Sequence, residues 1–562
     1  MQTKTLRIRA RDCGLLILLV LVMVLPGLSG LPVIDRDEAR YAQASVQMIE
    51  TGDYIDIRFQ DRARHKKPAG AYWLQALSVK AFSDVNNRDI WAHRIPSVIA
   101  AILAILATYL GGISLIGRQS ALIGSALLAT GIVFVFESHI AKTDALLCAC
   151  AAVTLVTLGK LHLKSSRKLA IVFWIALGCA VMIKGPILPM LIGLCLLSLV
   201  IWERSVHWLK PLTYWLGPVL FLVIVLPWAI LIWQKTNGAF FTNAIIGDLT
   251  PKLKGGHERH GGAPGYYVLT TWLAFWPACL FLLPGLSFAI RAGRAKNIEG
   301  GFHKNVAKSA RFLLCWSVPF FIMLEIVPTK LPHYTLPIYP ALTLMAGAGI
   351  MALSKVNLFP VSRRIGAFLF AIFSIALIVA LLGAEAYYGD MPTWSFLVMA
   401  IVVVLVLFAA IRLWQGQSIP AFQAALCATL FMSIYTYQFT LPNLHAMNIG
   451  KRVQIALRAE NITAKDVQIY SPQFTEPSLV YHLGTHILLG KAQERLSTLA
   501  LNPHDIVILD KLNPKNEAYE PALKDYLKVQ NQCLTPLTYV EGFNYAKGDY
   551  VNLEISRVNI CE

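Results

Sequence analysis

Ionisable and aromatic side chains stand at the ends of several apolar runs of this chain, where a boundary between lipid and water would place them. The candidates for chemistry are the carboxylates Asp37, Glu38 and Asp144, the cations Arg40, Lys67, Lys184 and Lys330, and the ring-bearing residues Tyr41, His333 and Tyr334. A carboxylate can accept a proton or orient a hydroxyl group, and lysine or arginine can hold a phosphate. The pattern suits a substrate with a lipid tail and an anionic head.

Each of these residues also has a simpler interpretation. Lys184 at a helix end is compatible with a side chain that extends to the membrane surface, and Glu38 with a solvated loop charge. Ionisable groups at membrane depth are nevertheless costly and usually functional, and here they gather on one side of the bilayer. An ion or proton pathway would also place them in its middle. The distribution therefore predicts a reaction chamber open to one face.

The elements that position these residues are membrane-spanning helices. Apolar residues make up 56% of the 562 residues and charged residues 15%, whereas a soluble domain carries about 25% charged residues. This composition excludes a soluble multidomain enzyme and a disordered chain. Runs of about 20 apolar residues, the length that crosses a bilayer, begin near Gly14, Ile95, Ser120, Ala141, Leu169, Pro186, Leu212, Tyr266, Phe312, Thr335, Ile365, Phe396 and Pro420. The sequence thus predicts an α-helical polytopic membrane protein with about thirteen transmembrane helices.

The formal net charge of +18 fixes the predicted orientation. With the N-terminus in the cytoplasm, the excess falls in segments placed inside, among them 160–168, 291–311 and 355–364. This distribution follows the positive-inside rule, so a nucleic-acid partner is not expected. Cysteine spacings typical of metal sites are absent from the sequence. We expect a multi-pass protein of the bacterial inner membrane whose site faces the periplasm.

Two regions are predicted along the chain. Residues 1–442 form the transmembrane region, with outer loops at 35–94 and 234–265. The first loop contains an interfacial helix over 68–82, and the second contains Arg259 and His260 as candidate substrate-binding residues. Residues 443–562 form a small periplasmic α/β domain, with strands at 467–470 and 505–510, a helix at 491–501 and a hairpin over 539–558. Its two cysteines, Cys533 and Cys561, are compatible with a disulfide or with free thiols.

Five ordered motifs resemble a known family. They are Asp-Glu-Ala-Arg-Tyr at 37–41, Lys-Pro-Ala-Gly-Ala-Tyr-Trp at 67–73, Thr-Asp at 143–144, Lys-Gly at 184–185 and Lys-Leu-Pro-His-Tyr at 330–334. In this order they are similar to the integral-membrane glycosyltransferases of the GT-C fold, in particular the 4-amino-4-deoxy-L-arabinose lipid A transferase family. The segment Ala-Pro-Gly-Tyr-Tyr at 263–267, preceded by His260, resembles that family's outer-loop motif.

The resemblance implies roles for individual residues. Asp37 matches the catalytic aspartate, Asp144 the second aspartate, Lys67 the lysine before proline and Tyr334 the tyrosine near the lipid phosphate. Two positions depart from the pattern, because Lys66 and Asp248 stand where the family has the glutamate and histidine that hold a metal ion. No cofactor is therefore assigned, and no residue is assigned as a metal ligand. We expect a direct ion pair between Lys66 and Asp248 instead.

The resulting hypothesis is an inverting glycosyltransferase that moves a sugar from a polyprenyl (undecaprenyl) phosphate donor to lipid A or another envelope glycan. The expected partners are this donor, a lipid or glycan acceptor and membrane lipids. A protein O-glycosyltransferase that uses the same type of donor remains an alternative within the enzyme class. A transporter of lipid-linked sugars is the alternative outside it.

Overall fold

The computed structural model describes residues 2–255, 261–295, 301–356, 358–490 and 500–561. The membrane region contains nineteen α-helices within these ranges: α1 (Gln2–Val24), α2 (Asp37–Thr51), α3 (Gly70–Phe82), α4 (Ile90–Ile116), α5 (Arg118–Ala129), α6 (Ile132–His139), α7 (Asp144–Leu163), α8 (Arg167–Lys184), α9 (Ile187–Glu203), α10 (Leu216–Thr236), α11 (Ala239–Thr242), α12 (Thr250–Lys254), α13 (Tyr266–Ala274), α14 (Leu282–Arg294), α15 (Gly301–Ile326), α16 (Tyr339–Leu353), α17 (Pro360–Tyr388), α18 (Trp394–Trp414) and α19 (Ser418–Tyr435).

The predicted apolar runs all fall on helices. The first run is α1, and the third and eighth are pairs bent by 57° between α5 and α6 and by 116° between α13 and α14. Among the described residues, eight helical segments are long and apolar enough to cross a bilayer, or ten if each bent pair counts as one span. Helix α9 is apolar but shorter. The protein is therefore a multi-pass membrane protein with a helical core.

Small residues allow the helices of this core to approach closely. A Cβ atom added to Gly347 of α16 would lie 2.2 Å from the carbonyl oxygen of Ser120 in α5. One added to Gly124 of α5 would lie 2.6 Å from the carbonyl oxygen of Thr343 in α16. Within a bilayer, packing at this distance replaces the hydrophobic effect as the force that joins helices. Glycine at both positions thus fixes the contact between α5 and α16.

Two short elements precede the interfacial helix. Strands β1 (Arg58–Phe59) and β2 (Arg62–Ala63) form an antiparallel pair, and α3 follows after residues 64–69. The helix predicted over 68–82 is confirmed as α3. His65 lies 2.8 Å from Asp56 and both are buried, which anchors the segment between β2 and α3.

The chain after the last span forms a small α/β unit. It contains helices α20 (Ile449–Ala459), α21 (Pro477–Leu483) and α22 (Asn516–Lys528). Its strands are β3 (Ile469–Ser471), β4 (Leu488–Leu489), β5 (Ile506–Asp510), β6 (Gln532–Asn544) and β7 (Asp549–Ile560), arranged in the order β4-β3-β5-β7-β6. Strands β3 and β5 are parallel, whereas β7 runs antiparallel to β5 and β6. The predicted strands and hairpin are confirmed.

The hairpin turns through Gly548 at φ +80°, a backbone conformation that favours glycine. The predicted helix over 491–501 lies largely outside the described residues, which resume at 500. Cys533 and Cys561 are free thiols.

The α/β unit packs directly on the segment that leads into α2. Ser478 of α21 donates hydrogen bonds to Asp35 from its backbone nitrogen at 2.8 Å and its hydroxyl at 2.7 Å. The backbone nitrogen of Asp35 donates a hydrogen bond to the hydroxyl oxygen of Tyr545. Burial raises the pKa of Asp35 to about 6, although the Ser478 hydrogen bonds oppose this shift. The tail thereby holds the residues immediately before Asp37 in place.

Candidate active site

A cavity of about 300 Å³ opens between α2, α7, α9, α15 and the loops that connect the outer ends of the helices. Its polar wall contains Asp37, Tyr41, Arg64, Lys66, Lys67, Lys142, Thr143, Asp144, Lys184, Asp248, Lys252, Thr329, His333 and Tyr334. Its apolar wall comes from α9 and α15 and includes Ile187, Met190, Phe320, Met323 and Leu324. An ionic wall facing an apolar wall fits an amphipathic lipid-linked substrate.

Asp37 begins α2 and presents its carboxylate to this cavity. Its side chain is 56% exposed, and Arg64 Nη2 lies 3.8 Å from its Oδ1. The surrounding protein removes part of its hydration, which acts to raise the pKa of Asp37. The positive charges of Lys142, Arg64 and Arg40 outweigh this effect and hold the pKa below its usual range. A carboxylate at the first turn also interacts favourably with the helix dipole. Asp37 is therefore ionised and accessible near neutral pH.

An aromatic stack forms the floor beside Asp37. The rings of Tyr41 and Tyr72 lie 4.7 Å apart and nearly parallel. The guanidinium of Arg64 lies 5.2 Å from the centre of the Tyr41 ring, and its Nε donates to the Tyr72 hydroxyl at 3.1 Å. The backbone nitrogen of Arg64 donates to Ile57 at 2.7 Å, which fixes the residue after β2. Arg64 is thus held rigidly at the cavity wall.

A second ionic cluster surrounds Asp144 at the start of α7. Lys184 Nζ lies 2.5 Å from Asp144 Oδ1, and Lys142 Nζ lies 3.3 Å from Oδ2. Lys142 also donates to Glu137 at 3.1 Å. His333 lies 3.5 Å from Glu137 and 3.9 Å from Asp144. The motifs at 143–144, 184–185 and 330–334 therefore converge on one side of the cavity.

A third ionic cluster joins the two long connecting segments at 35–94 and 234–265. Asp248 accepts from Lys67 Nζ at 2.8 Å and from Lys252 Nζ at 2.7 Å. The two cations lower the pKa of Asp248 to about 2 against the effect of burial. Burial and the nearby charge of Lys252 lower the pKa of Lys67 to about 8, although Asp248 opposes this. The sequence predicted an ion pair between Lys66 and Asp248. In the structure, the neighbouring Lys67 forms the ion pair with Asp248.

Lys66 and Asp248, the two positions where the resemblance implies a metal ion, do not fit a divalent cation. Lys66 supplies an ammonium group where a ligand is required, and both oxygens of Asp248 are occupied by lysines. Among the described residues, suitable donor atoms of Glu137, Asp144 and His333 lie within 4.8 Å of one another on the Asp144 side of the cavity. There too a cation would compete with the ammonium groups of Lys142 and Lys184. Lysine ammonium groups thus already occupy the carboxylates at both places.

Several predicted site residues lie outside the cavity wall. Glu38 is fully buried in a pair with Arg94, at 2.8 Å and 2.9 Å, and also accepts from the backbone nitrogens of Ile34 and Ala141. Lys330 Nζ points into the protein and donates to the carbonyl oxygens of Leu324 and Glu325. Both contacts are structural, because each polar group is satisfied within the protein.

The remaining predicted residues divide into three groups. Asp37, Tyr41, Lys67, Asp144, Lys184, His333 and Tyr334 line the cavity. Arg40 is half-buried on α2, where its charge acts on Asp37. Arg259 and His260 lie outside the described residues.

Three cationic residues of the cavity, Arg64, Lys142 and Lys252, were not assigned to the site from the sequence, although Lys142 stands among the ionisable groups that gather on one side of the bilayer. Arg64 precedes the motif at 67–73 by three residues, and Lys142 precedes the motif at 143–144. Their nearness to these motifs is the signal that could have identified them. Lys252 lies four residues after Asp248, the spacing of a helical ion pair.

Comparisons with known proteins agree with this arrangement. Residues 66–233 match the family model described as dolichyl-phosphate-mannose-protein mannosyltransferase. The undecaprenyl phosphate-alpha-4-amino-4-deoxy-L-arabinose arabinosyl transferase 2 of Proteus mirabilis is 27% identical over 378 residues, which cover 65% of each chain. The corresponding transferase of Edwardsiella ictaluri is 30% identical over 344 residues, which cover 59% of this chain and 58% of the relative. The chain thus spans less than two thirds of the length of these relatives.

Solved structures extend the similarity to nearly the whole chain. ArnT from Cupriavidus metallidurans bound to undecaprenyl phosphate superimposes with a TM-score of 0.72 at 18% identity, covering 97% of both chains. An oligosaccharyltransferase from Archaeoglobus fulgidus reaches 0.52 at 11% identity, covering 97% of this chain and 74% of its own. The protein therefore has the GT-C fold with a small C-terminal sheet domain, and it resembles the undecaprenyl phosphate-aminoarabinose transferases in sequence and in architecture.

Proposed function

We propose that this protein is a polyprenyl-phosphate-dependent glycosyltransferase of the bacterial inner membrane. It transfers a sugar from undecaprenyl phosphate to lipid A or another envelope glycan at the periplasmic face. The observation that carries the proposal is the cavity itself, in which an accessible carboxylate stands among cations and faces an apolar wall. The names of the similar proteins, which include undecaprenyl phosphate in both the sequence relatives and the ArnT structure, support the type of donor.

The charges of the cavity suggest how the reaction proceeds. The isoprenoid chain lies along the apolar residues of α9 and α15, and Lys67 with Lys184 holds the phosphate. The acceptor oxygen attacks the anomeric carbon, whose bond to the phosphate oxygen breaks with both electrons going to the phosphate. The cations stabilise the charge that develops on this leaving group. Asp37 takes the proton of a hydroxyl acceptor or, for an acceptor that is already ionised, orients it.

Reconstitution tests this proposal directly. Purified protein in proteoliposomes is given radiolabelled polyprenyl-phosphate sugar and lipid A, and labelled lipid A is separated by chromatography. We expect label transfer by the natural protein and by the control Asp61→Asn, whose side chain is exposed on the turn between β1 and β2. Movement of the intact donor across the bilayer without transfer would identify a transporter instead. Mass spectrometry of lipid A from cells with and without the protein identifies the added sugar.

A protein O-glycosyltransferase is the second candidate. The family model that matches residues 66–233 bears the name of a protein mannosyltransferase. A protein acceptor would present a serine or threonine hydroxyl, which requires Asp37 as a base. Label that appears on membrane proteins but not on lipid A in the same assay would favour this candidate.

The proposed periplasmic orientation has its own test. Cysteines introduced at Asn237 and Lys515, both exposed, are expected to react with an impermeant maleimide in intact spheroplasts. A cysteine at Ser165, exposed between α7 and α8, is expected to react only after permeabilisation. Labelling of position 165 alone in intact spheroplasts would invert the orientation.

A further inference from the structure

The segment from α11 to α12 contributes to the wall of the cavity and is fixed at both of its ends. Phe240 of α11 is buried, and the centre of its ring lies 5.0 Å from that of Trp228 and 5.4 Å from that of His65. At the other end, the hydroxyl of Thr329 donates to the carbonyl oxygen of Lys252 at 3.1 Å. The residues between these contacts are therefore held close to the cavity.

Asp248 lies between the two anchored ends, in a π-helical turn over Asn243–Leu249. Turns of this kind are rare and occur frequently at functional sites. The Asp248 side chain is 5% exposed, and its Oδ2 accepts from Lys67 Nζ at 2.8 Å while its Oδ1 accepts from Lys252 Nζ at 2.7 Å. Each carboxylate oxygen thus holds one ammonium group, one from each of the connecting segments at 35–94 and 234–265.

This arrangement decides where the ammonium group of Lys67 lies. Lysine carries a compact charge on a flexible four-carbon stem, so the position of the charge depends on a fixed partner. Asp248 is such a partner, because its carboxylate is almost enclosed and its segment is anchored at both ends. Lys67 is 22% exposed and lines the cavity. Its ammonium group is therefore held where the phosphate of a donor can reach it.

The carboxylate also separates the effects of several positive charges. Burial and the nearby charge of Lys252 lower the pKa of Lys67 to about 8, and Lys184 acts in the same direction, whereas Asp248 opposes these effects. Removal of one partner from a partly buried ionic cluster leaves the remaining charges without compensation, which is costly. Asp248 therefore keeps Lys67 charged and keeps the two connecting segments together.

We propose that Asp248 is a positioning residue for donor binding, which joins Lys67 and Lys252 across the two connecting segments and keeps Lys67 directed toward the donor phosphate. The proposal rests on the glycosyltransferase function proposed above and deepens it. The resemblance implies a metal ion at Lys66 and Asp248, where this chain has an ammonium group and a carboxylate already bonded to lysines. In this chain, an ionic cluster of side chains joins the two segments in place of a metal ion.

The first test measures donor affinity in proteoliposomes with radiolabelled polyprenyl-phosphate sugar. Asp248→Asn keeps the shape of the side chain and removes its charge. We expect KM for the donor to rise about 10- to 100-fold, the range of a charged hydrogen bond, with a smaller change in kcat. Asp61→Asn, which removes an exposed carboxylate between β1 and β2, is expected to match the natural protein in both quantities. An unchanged KM in Asp248→Asn would overturn the proposal.

Two further measurements show whether Asp248 acts through Lys67. In the Lys67→Gln background, Asp248→Asn is expected to change the donor KM by less than about threefold, because the cation that Asp248 positions is already absent. In Asp248→Asn alone, the pH at which kcat/KM decreases is expected to move below 8 by about 1–3 units, since a neighbouring carboxylate favours the charged form of lysine. Additive effects of the two substitutions, or an unmoved pH profile, would contradict a role through Lys67.

A second variant covers the case in which Asp248→Asn does not fold. Lys252→Gln removes the positive charge that lowers the pKa of Lys67 but leaves the Lys67–Asp248 pair. The decrease in kcat/KM is then expected to move to a pH above 8. A profile that does not move would show that the cluster does not control Lys67. One equivalent of zinc in the purified natural protein, with loss of transfer on chelation, would replace the ionic cluster by a metal ion.

A structural measurement tests the cluster without any transfer reaction. Hydrogen exchange of the backbone amides over 243–254 is expected to be faster in Asp248→Asn than in the natural protein or in Asp61→Asn, because an ionic contact to the other segment is lost. Unchanged exchange would refute the joining of the segments. Absence of transfer by the natural protein with every donor would refute the glycosyltransferase function and the role in donor binding, whereas faster exchange would still support the cluster.

Discussion

Two ionic regions begin at neighbouring residues of α2 and differ in how completely their charged groups are hydrogen-bonded. Glu38 and Arg94 form a closed pair with 0% exposure of both side chains, and additional backbone groups complete their hydrogen bonds. Asp37 and Arg64 face the cavity, and their closest ionic contact is 3.8 Å. The first region joins the loop after α1 to α4 and to the segment between α6 and α7. The polar groups of the second region can still form hydrogen bonds with a substrate. The fully hydrogen-bonded pair therefore has a structural role, whereas the incompletely bonded pair is available for function.

The strongest expected effect is on Asp37. If the acceptor is a hydroxyl, Asp37→Asn is expected to lower single-turnover transfer by about 10²–10⁴-fold, since this is the usual range for loss of a general base. Donor affinity is then retained, because the cations that hold the phosphate remain. If the acceptor is an ionised phosphate, donor binding is also expected to weaken. Measuring both quantities separates the two acceptor classes.

The control for this variant is Asp61→Asn, which removes an exposed carboxylate outside the cavity. The melting temperature of Asp37→Asn should stay close to that of the natural protein, because substitutions at accessible positions typically change stability by less than about 0.5 kcal/mol. A change of less than threefold in both rate and affinity would make Asp37 an ordinary solvated carboxylate and would remove the contrast with Glu38.

The second effect is expected on stability. Glu38→Gln leaves the guanidinium of Arg94 buried without its counterion, and loss of one partner of a buried pair costs about 3–5 kcal/mol. Thermal unfolding in detergent is expected to show a clear decrease in the melting temperature. The exposed Glu517→Gln in α22 serves as the control. Normal stability combined with loss of donor affinity would instead assign Glu38 to substrate binding, as the sequence suggested.

A smaller effect is expected on the pH dependence of donor binding in the cavity. The pKa of Lys67 is lowered to about 8 by burial and by Lys252. Its positive charge is present below this pH and is lost as the pH rises through it, so phosphate binding weakens. We expect kcat/KM for the donor to fall between pH 7 and 9 with a midpoint near 8.

Two substitutions check the assignment of this midpoint. Lys67→Arg should abolish the decrease in this range, because arginine remains protonated. Lys80→Arg, on the exposed face of α3, should retain it. A flat profile for the natural protein from pH 7 to 9 would show that the charge of Lys67 does not govern donor binding.

Sequence-based reasoning identified most of the cavity but not the direction of each side chain. Asp37 and Glu38 are adjacent in sequence and equal in charge, yet helical geometry points them to different sides of α2. Lys330 belongs to the same motif as His333 and Tyr334, but its ammonium group turns back onto the carbonyl oxygens of α15. The rotation of a helix and the choice of a rotamer depend on packing partners that are distant in sequence. A motif therefore predicts the neighbourhood of a site better than the contacts within it.

The sequence by itself determined the spans and the small sheet domain, because the hydrophobic and alternating patterns that specify them are local. It also pointed to Asp37, Lys67, Asp144 and Lys184, which the structure places in the lining of the cavity. Only the tertiary structure decided which charges are paired. The Glu38–Arg94 pair joins residues 56 positions apart, and the Lys67–Asp248 pair joins residues 181 positions apart. Such separations along the chain are brought together by helix packing, and local sequence patterns carry no information about it.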